Sequence, residues 1–149
     1  MLNKERAVDA NRSQTINWAF GAVLLCLWIG LTFQGLVSAV KIWYISEIFN
    51  HCFFVLPVSL YLIWEKKNEI NWRTRECTLF ALPFILLQVL LYVIGVAGDI
   101  QLFQHAAMFS LLPTLIWFYL GNRITKQIIF PLSFMLFAIP FGEELIPFL

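Results

Sequence analysis

Five apolar stretches, each close to the length of a membrane-crossing helix, constrain this chain more than any other feature. They fall at 15–35, 45–64, 78–97, 100–120 and 124–141. A bilayer core of ~30 Å takes ~20 helical residues to cross, at ~1.5 Å of rise each. Lipid offers no partner for an exposed peptide group, so such stretches must bond internally as helices. The expected fold is therefore all-α: a polytopic transmembrane helical bundle of about five spans, forming a single membrane domain over 1–149. Composition agrees. The chain is 60% apolar and 13% charged, with mean hydropathy +0.78, against roughly 45–50% and roughly 25% in soluble domains. That excludes a soluble globular domain and a disordered chain. A net charge of +1 without a dense basic face excludes a nucleic-acid partner. The implied partner is the lipid bilayer.

Basic residues orient the spans. Lys4, Arg6 and Arg12 precede the first. Lys66, Lys67, Arg73 and Arg75 follow the second, and Arg123 and Lys126 follow the fourth. With alternating spans, nine of the ten basic residues fall on one side, leaving only Lys41 on the other. The positive-inside rule then predicts a cytoplasmic N-terminus. Residues 36–45, the Gly98-Asp99 turn and the 142–149 tail face outward. Trp64, Trp117 and Tyr119 are expected at the inner interface, and Trp43 and Tyr44 at the outer one. Val37-Ser38-Ala39 fits a signal-peptidase site. The ~20-residue apolar run before it exceeds the ~7–15 residues of a signal h-region, so an uncleaved anchor is expected.

Gly98-Asp99 predicts a tight antiparallel hairpin of spans three and four. Gln88, in the middle of span three, predicts an interhelical hydrogen bond. Pro57, Pro83, Pro113, Pro131 and Pro140 predict a break in each of spans two to five. Cys26, Cys52 and Cys77 are odd in number, lack metal-type spacing and predict three free thiols.

Ionisable and polar residues within membrane spans are functional candidates. His51 lies six residues in from Ile45, and His105 five in from Ile100, which places the imidazoles ~9 and ~8 Å along their helices. Glu47 and His51 are four apart, as are Gln101 and His105, so each pair is expected on one helix face. Glu143 and Glu144 emerge on the same outer side. Glu47, Asn50, His51, Gln101, Gln104, His105, Glu143 and Glu144 are thus expected to line one outward polar pocket. The competing reading has each histidine bonding a carbonyl or snorkelling to the headgroups. A Cys52–His51 nucleophile pair is not expected, because helix neighbours point apart. No metal site and no cofactor is expected, since no helix carries a His pair four apart.

Two segments resemble a known family. Trp43 to Ile70, WYISEIFNHCFFVLPVSLYLIWEKKNEI, is similar to the exosortase pattern of a Trp, Ser-Glu, an aromatic, a His before a small residue, a Pro-containing apolar run, Leu-Ile-Trp and a basic loop. Phe130 to Leu149, FPLSFMLFAIPFGEELIPFL, resembles the PL-F-LFA-PFGEEL-P-L segment of the exosortase A type. The resemblance covers roughly 40–149 and implies the N-terminal part of a multi-pass cysteine peptidase or transpeptidase of the bacterial inner membrane. Such enzymes process and sort secreted proteins that bear a C-terminal PEP-CTERM signal, alongside extracellular polysaccharide synthesis. The resemblance places the catalytic Cys, Arg and His after the PFGEEL-like segment, so no catalytic residue is expected in this chain, which is read as truncated before them. It carries over His51 with Ser46 and Glu47, while Cys52 stands where the family usually has Gly. Glu47, His51, Gln101, His105, Glu143 and Glu144 are then substrate-positioning or supporting candidates. Two other classes compete: a non-catalytic module binding a partner's transmembrane tail, and a small transporter or channel using His51 and His105.

Overall fold

A computed structural model of the chain describes residues 2–71 and 76–140. Arg73, Arg75, Glu143, Glu144 and the PFGEEL-like motif from Phe141 onward lie outside the described residues. Every described element is helical. Two compact units are present, Met1–Thr32 and Phe33–Leu149.

The first unit is α1, Leu2–Leu31. The expected span at 15–35 thus begins much earlier as a helix and ends sooner. The hydroxyl of Thr32 donates to the Trp28 carbonyl at 2.7 Å, sharing the acceptor that its own N–H uses at 3.0 Å. Such back-bonding is common on helices and can bend them; regular helix stops at this residue.

In the second unit, α2 covers Phe33–Ile45. Residues 36–45, expected as an outer connection, are helical instead, because Phe33, Val37, Val40 and Ile42 sustain an apolar helix past the break. A turn at 47–51 leads into α3, Cys52–Glu65, which closes in a 3₁₀ turn at Lys66–Asn68. A second 3₁₀ turn, Leu79–Ala81, opens onto α4, Leu82–Ala97. Then come α5, Gln101–Gln127, α6, Ile129–Phe134, and a 3₁₀ turn at Met135–Ala138.

Among the described residues, two helical stretches are long and apolar enough to cross a membrane, Leu79–Ala97 and Gln101–Gln127. A third results if Asn17–Leu31 and Phe33–Ile45 count as one broken span. Span two reduces to the 14-residue α3, and span five to the short apolar stretch Ile129–Ala138. Leu86, Leu87, Leu90 and Val93 of α4 stay exposed, as a lipid-facing helix requires.

The α4–α5 hairpin forms as expected. Its left-handed residue is Asp99, with φ 53°, rather than Gly98, whose φ is −91°. Asp tolerates that region better than most side chains. Close approach depends on Gly95: a Cβ there would sit 2.7 Å from the Gln104 backbone nitrogen.

The prolines break less than expected. Pro57 and Pro113 lie inside helices that continue through them, and Pro83 sits in the first turn of α4, where its missing N–H costs nothing. The real interruption in α5 is Gly121, with φ 81° and ψ 174°. A side chain there would collide with the Glu76 carbonyl. Nearby, Thr78 N–H donates to Phe118 O at 3.2 Å and Lys66 Nζ to Gln127 O at 3.2 Å. These contacts draw the flanks of the basic 65–76 connection to the basic 121–127 segment. Ile70, Leu120, Ile124, Ile128, Leu132 and Met135 form a buried cluster at this basic end. Trp64 stays exposed, with Lys67 Nζ 4.0 Å from its ring centre. Trp43, expected at the outer interface, is buried instead. It stacks on Phe109 and meets Phe53 edge-on, both at 5.4 Å.

Candidate functional site

The two motif-bearing segments meet at the end of the second unit opposite the basic one. α3 packs against α6 and the following 3₁₀ turn. Where they meet, Cys52, fully buried at the first position of α3, lies with its Sγ 3.7 Å from Phe137 O. His51 precedes it in the turn. Its Nδ1 lies 2.8 Å from Ile48 O. A carbonyl only accepts, so this contact fixes the proton on Nδ1. In the neutral ring Nε2 is then an acceptor, and it lies 3.8 Å from Cys52 Sγ. One thiol proton therefore has two acceptors in reach.

This geometry corrects two expectations. Glu47 and His51 do not share a helix face, because 47–51 is a turn. The strong local bond from Nδ1 to the carbonyl three residues back stabilises the turn over a helical first turn. His51 and Cys52 do approach one another, since the rule that helix neighbours diverge fails at a helix boundary. The proximity of the two residues is legible in the sequence as the pair His51-Cys52, but the turn that aims the ring is not.

His105 lies elsewhere, on the first turns of α5. It is 1% exposed, and its Nε2 is 2.7 Å from Ser38 Oγ of α2. Gln101, one turn earlier, is exposed and lines a cavity of about 500 Å³ together with Gln34, Ser38 and Lys41. Gln104 is half-buried beside Gly95. Asn50 and Glu47 are exposed on the turn before α3. Glu143 and Glu144 lie outside the described residues, and the cavity that Gln101 lines does not take in Glu47, Asn50 or His51. The described members divide into a turn site at His51–Cys52 and a cavity beside His105, because α2 occupies the place expected for a loop and supplies His105 with its own partner. The sequence points to Ser38 only as the middle of Val37-Ser38-Ala39, not as a partner for His105; its position one helix turn from Gln34 and three residues from Lys41 is the signal for a polar face there.

A third polar locus lies within the α4–α5 pair. Gln88 Nε2 donates to Thr114 Oγ1 at 3.0 Å, the interhelical bond expected of Gln88. Both residues border a cleft of about 480 Å³ that reaches Asn122 and Lys126 at the basic end. Among the described residues no group of three His, Cys, Asp or Glu side chains gathers as metal ligands do.

A family model described as transmembrane exosortase (Exosortase_EpsH) matches residues 43–149. No curated protein and no solved structure matches the chain. The matched region includes α3, the α4–α5 hairpin and α6, and therefore the turn at His51–Cys52 and its contact with Phe137.

Proposed function

The chain belongs to the transmembrane exosortase family, and on that premise we propose that it is part of a membrane cysteine peptidase or transpeptidase that processes secreted proteins carrying a PEP-CTERM tail. In this reading it spans the bacterial inner membrane about five times, with its N-terminus in the cytoplasm. The His51–Cys52 turn then faces outward, where a translocated protein presents its cleavage site. The observation that carries the reading is the convergence of the two motif segments, with Cys52 Sγ 3.7 Å from Phe137 O. That contact sets the start of α3 beside the chain that leads into the PFGEEL-like segment.

The proposed division of labour follows from burial. Cys52 is fully buried, and an inaccessible thiol does not serve as nucleophile. The nucleophilic Cys, with Arg and His, is assigned by resemblance to helix ends beyond the PFGEEL-like segment. His51 is exposed with its ring held by Ile48 O, so it positions substrate at the edge of that site. Glu47, Gln101, His105, Glu143 and Glu144 are supporting candidates of the same kind.

The test is processing of a tagged PEP-CTERM substrate by the full-length protein in cells. His51→Ala is expected to lower the processed fraction at equal enzyme abundance. Unchanged processing removes His51 from the site. The cleft between Gln88 and Lys126 favours one other reading, a module that holds a partner's transmembrane tail without cleaving it. That reading predicts a crosslink from the cleft to a partner helix whose length never changes.

A further inference from the structure

Four hydroxyls in these helices share a habit. Thr32 donates to Trp28 O, Ser59 to Val55 O, Ser110 to Ala107 O and Thr114 to Ser110 O, each to a carbonyl three or four residues back. This is the usual fate of a hydroxyl on a helix without water. Ser38 departs from it. Its Oγ is 2.7 Å from Nε2 of His105, which lies 67 positions away in sequence.

The surroundings of this pair are unequal. His105 is 1% exposed, whereas Ser38 is half-buried and borders the cavity of about 500 Å³. The imidazole therefore stands behind the hydroxyl, which has the cavity in front of it. The same cavity is lined by Lys41, Gln34 and Gln101, whose side chains carry hydrogen-bond donors, and by the apolar Phe33, Val37 and Ile42. A hydroxyl bonded to a base, with donors around the space it faces, is the arrangement by which nucleophilic catalysis is recognised. The apolar wall fits a hydrocarbon chain.

We propose that Ser38 and His105 form a nucleophile–base pair that acts on acyl esters with an apolar acyl chain. With its proton on Nδ1, His105 accepts from Ser38 at Nε2. Ser38 Oγ forms a bond to the ester carbonyl carbon, the carbonyl π pair moves onto its oxygen, and the Oγ proton passes to Nε2. The Lys41 ammonium and Gln101 amide offer the charge and hydrogen bond that such an oxyanion needs. As the carbonyl re-forms, the bond to the alkoxy group breaks. That group leaves with the electron pair and takes the proton from Nε2. Water then repeats the sequence on the acyl-serine, releasing the carboxylic acid and restoring Ser38. The pair involves neither Cys52 nor His51, and it gives His105 and Gln101 a role separate from the supporting one named above.

The experiment uses the full chain purified in detergent micelles and incubated with a fluorophosphonate probe bearing an alkyl chain. Mass spectrometry of peptides is expected to find the adduct on Ser38. Ser38→Ala should abolish it, and His105→Gln should slow labelling on the order of 10²-fold, the contribution of a general base. A wild-type protein that elutes as a single folded species and carries no adduct on Ser38 overturns the proposal, whatever the variants do. Labelling of Ser38 at an undiminished rate in His105→Gln overturns it too, since the pair would then be only an interhelical hydrogen bond.

Discussion

Gln88 of α4 donates from Nε2 to Thr114 Oγ1 of α5 at 3.0 Å, and Thr114 in turn donates to Ser110 O at 2.9 Å. The other end of the Gln88 amide, Oε1, is buried with no partner. The two residues of this bond therefore differ in what their removal leaves behind. Gln88→Leu takes away one bond and one orphaned acceptor. Thr114→Val leaves the Gln88 amide with neither end paired. Interhelical polar bonds in membranes average about 0.6 kcal/mol, while a newly orphaned buried group costs about 1–3 kcal/mol. Thr114→Val should thus be the more destabilising of the two, by about 1 kcal/mol or more. Unfolding of both variants in mixed micelles measures the order, and the reverse order would show that the bond does not hold the hairpin.

Gly121 is the hinge at which α5 turns, with φ 81°. That backbone region is strained for any residue with a Cβ, at about 1–3 kcal/mol. A Cβ there would also press on the Glu76 carbonyl. Gly121→Ala should lower stability by more than about 2 kcal/mol, or abolish the folded yield. Thermal denaturation followed by circular dichroism tests this, and a variant as stable as the parent would place the hinge elsewhere.

Gly95 lets α4 and α5 touch at backbone distance, because a Cβ would stand 2.7 Å from Gln104 N and 3.1 Å from Phe103 C. Backbone on both sides cannot yield as a side chain can. Ala normally gains about 0.5–1 kcal/mol over Gly inside a helix. Gly95→Ala should reverse that sign and destabilise the hairpin, as read by the same denaturation. A stabilised variant would mean that the two helices are further apart.

Cys77 is exposed beside the basic connection, whereas Cys52 is buried. In a variant that keeps only Cys77, a membrane-impermeant maleimide should label the thiol after the cytoplasmic face is opened, and not in intact cells. Lys41→Cys on a cysteine-free background should give the opposite pattern. Labelling of Cys77 from outside would invert the proposed orientation.

Much of this protein is legible from residue order alone, and the hairpin illustrates why. Two apolar runs joined by Gly98-Asp99 leave a chain in lipid little choice but to turn back at once. Gln88 was likewise readable, since an amide in the middle of a span needs a partner on a neighbouring helix. The prolines misled, because their effect depends on position: Pro83 opens a helix, while Pro57 and Pro113 lie within continuous ones. The breaks fall at Thr32 and Gly121 instead, the second through a conformation that a Cβ would strain. Neither signal appears in hydropathy.

By itself, the sequence determined that the chain is helical and membrane-embedded, and that its two motif segments resemble one family. Those properties follow from transfer energies and backbone hydrogen bonding, which act over stretches of some twenty residues. The pairing of polar groups was decided only by tertiary structure. Cys52 meets Phe137 across 85 positions, and Ser38 meets His105 across 67. Such bonds depend on how each helix is rotated and where it breaks. Packing sets both, because an unpaired polar group in an apolar interior is costly wherever the chain happens to place it.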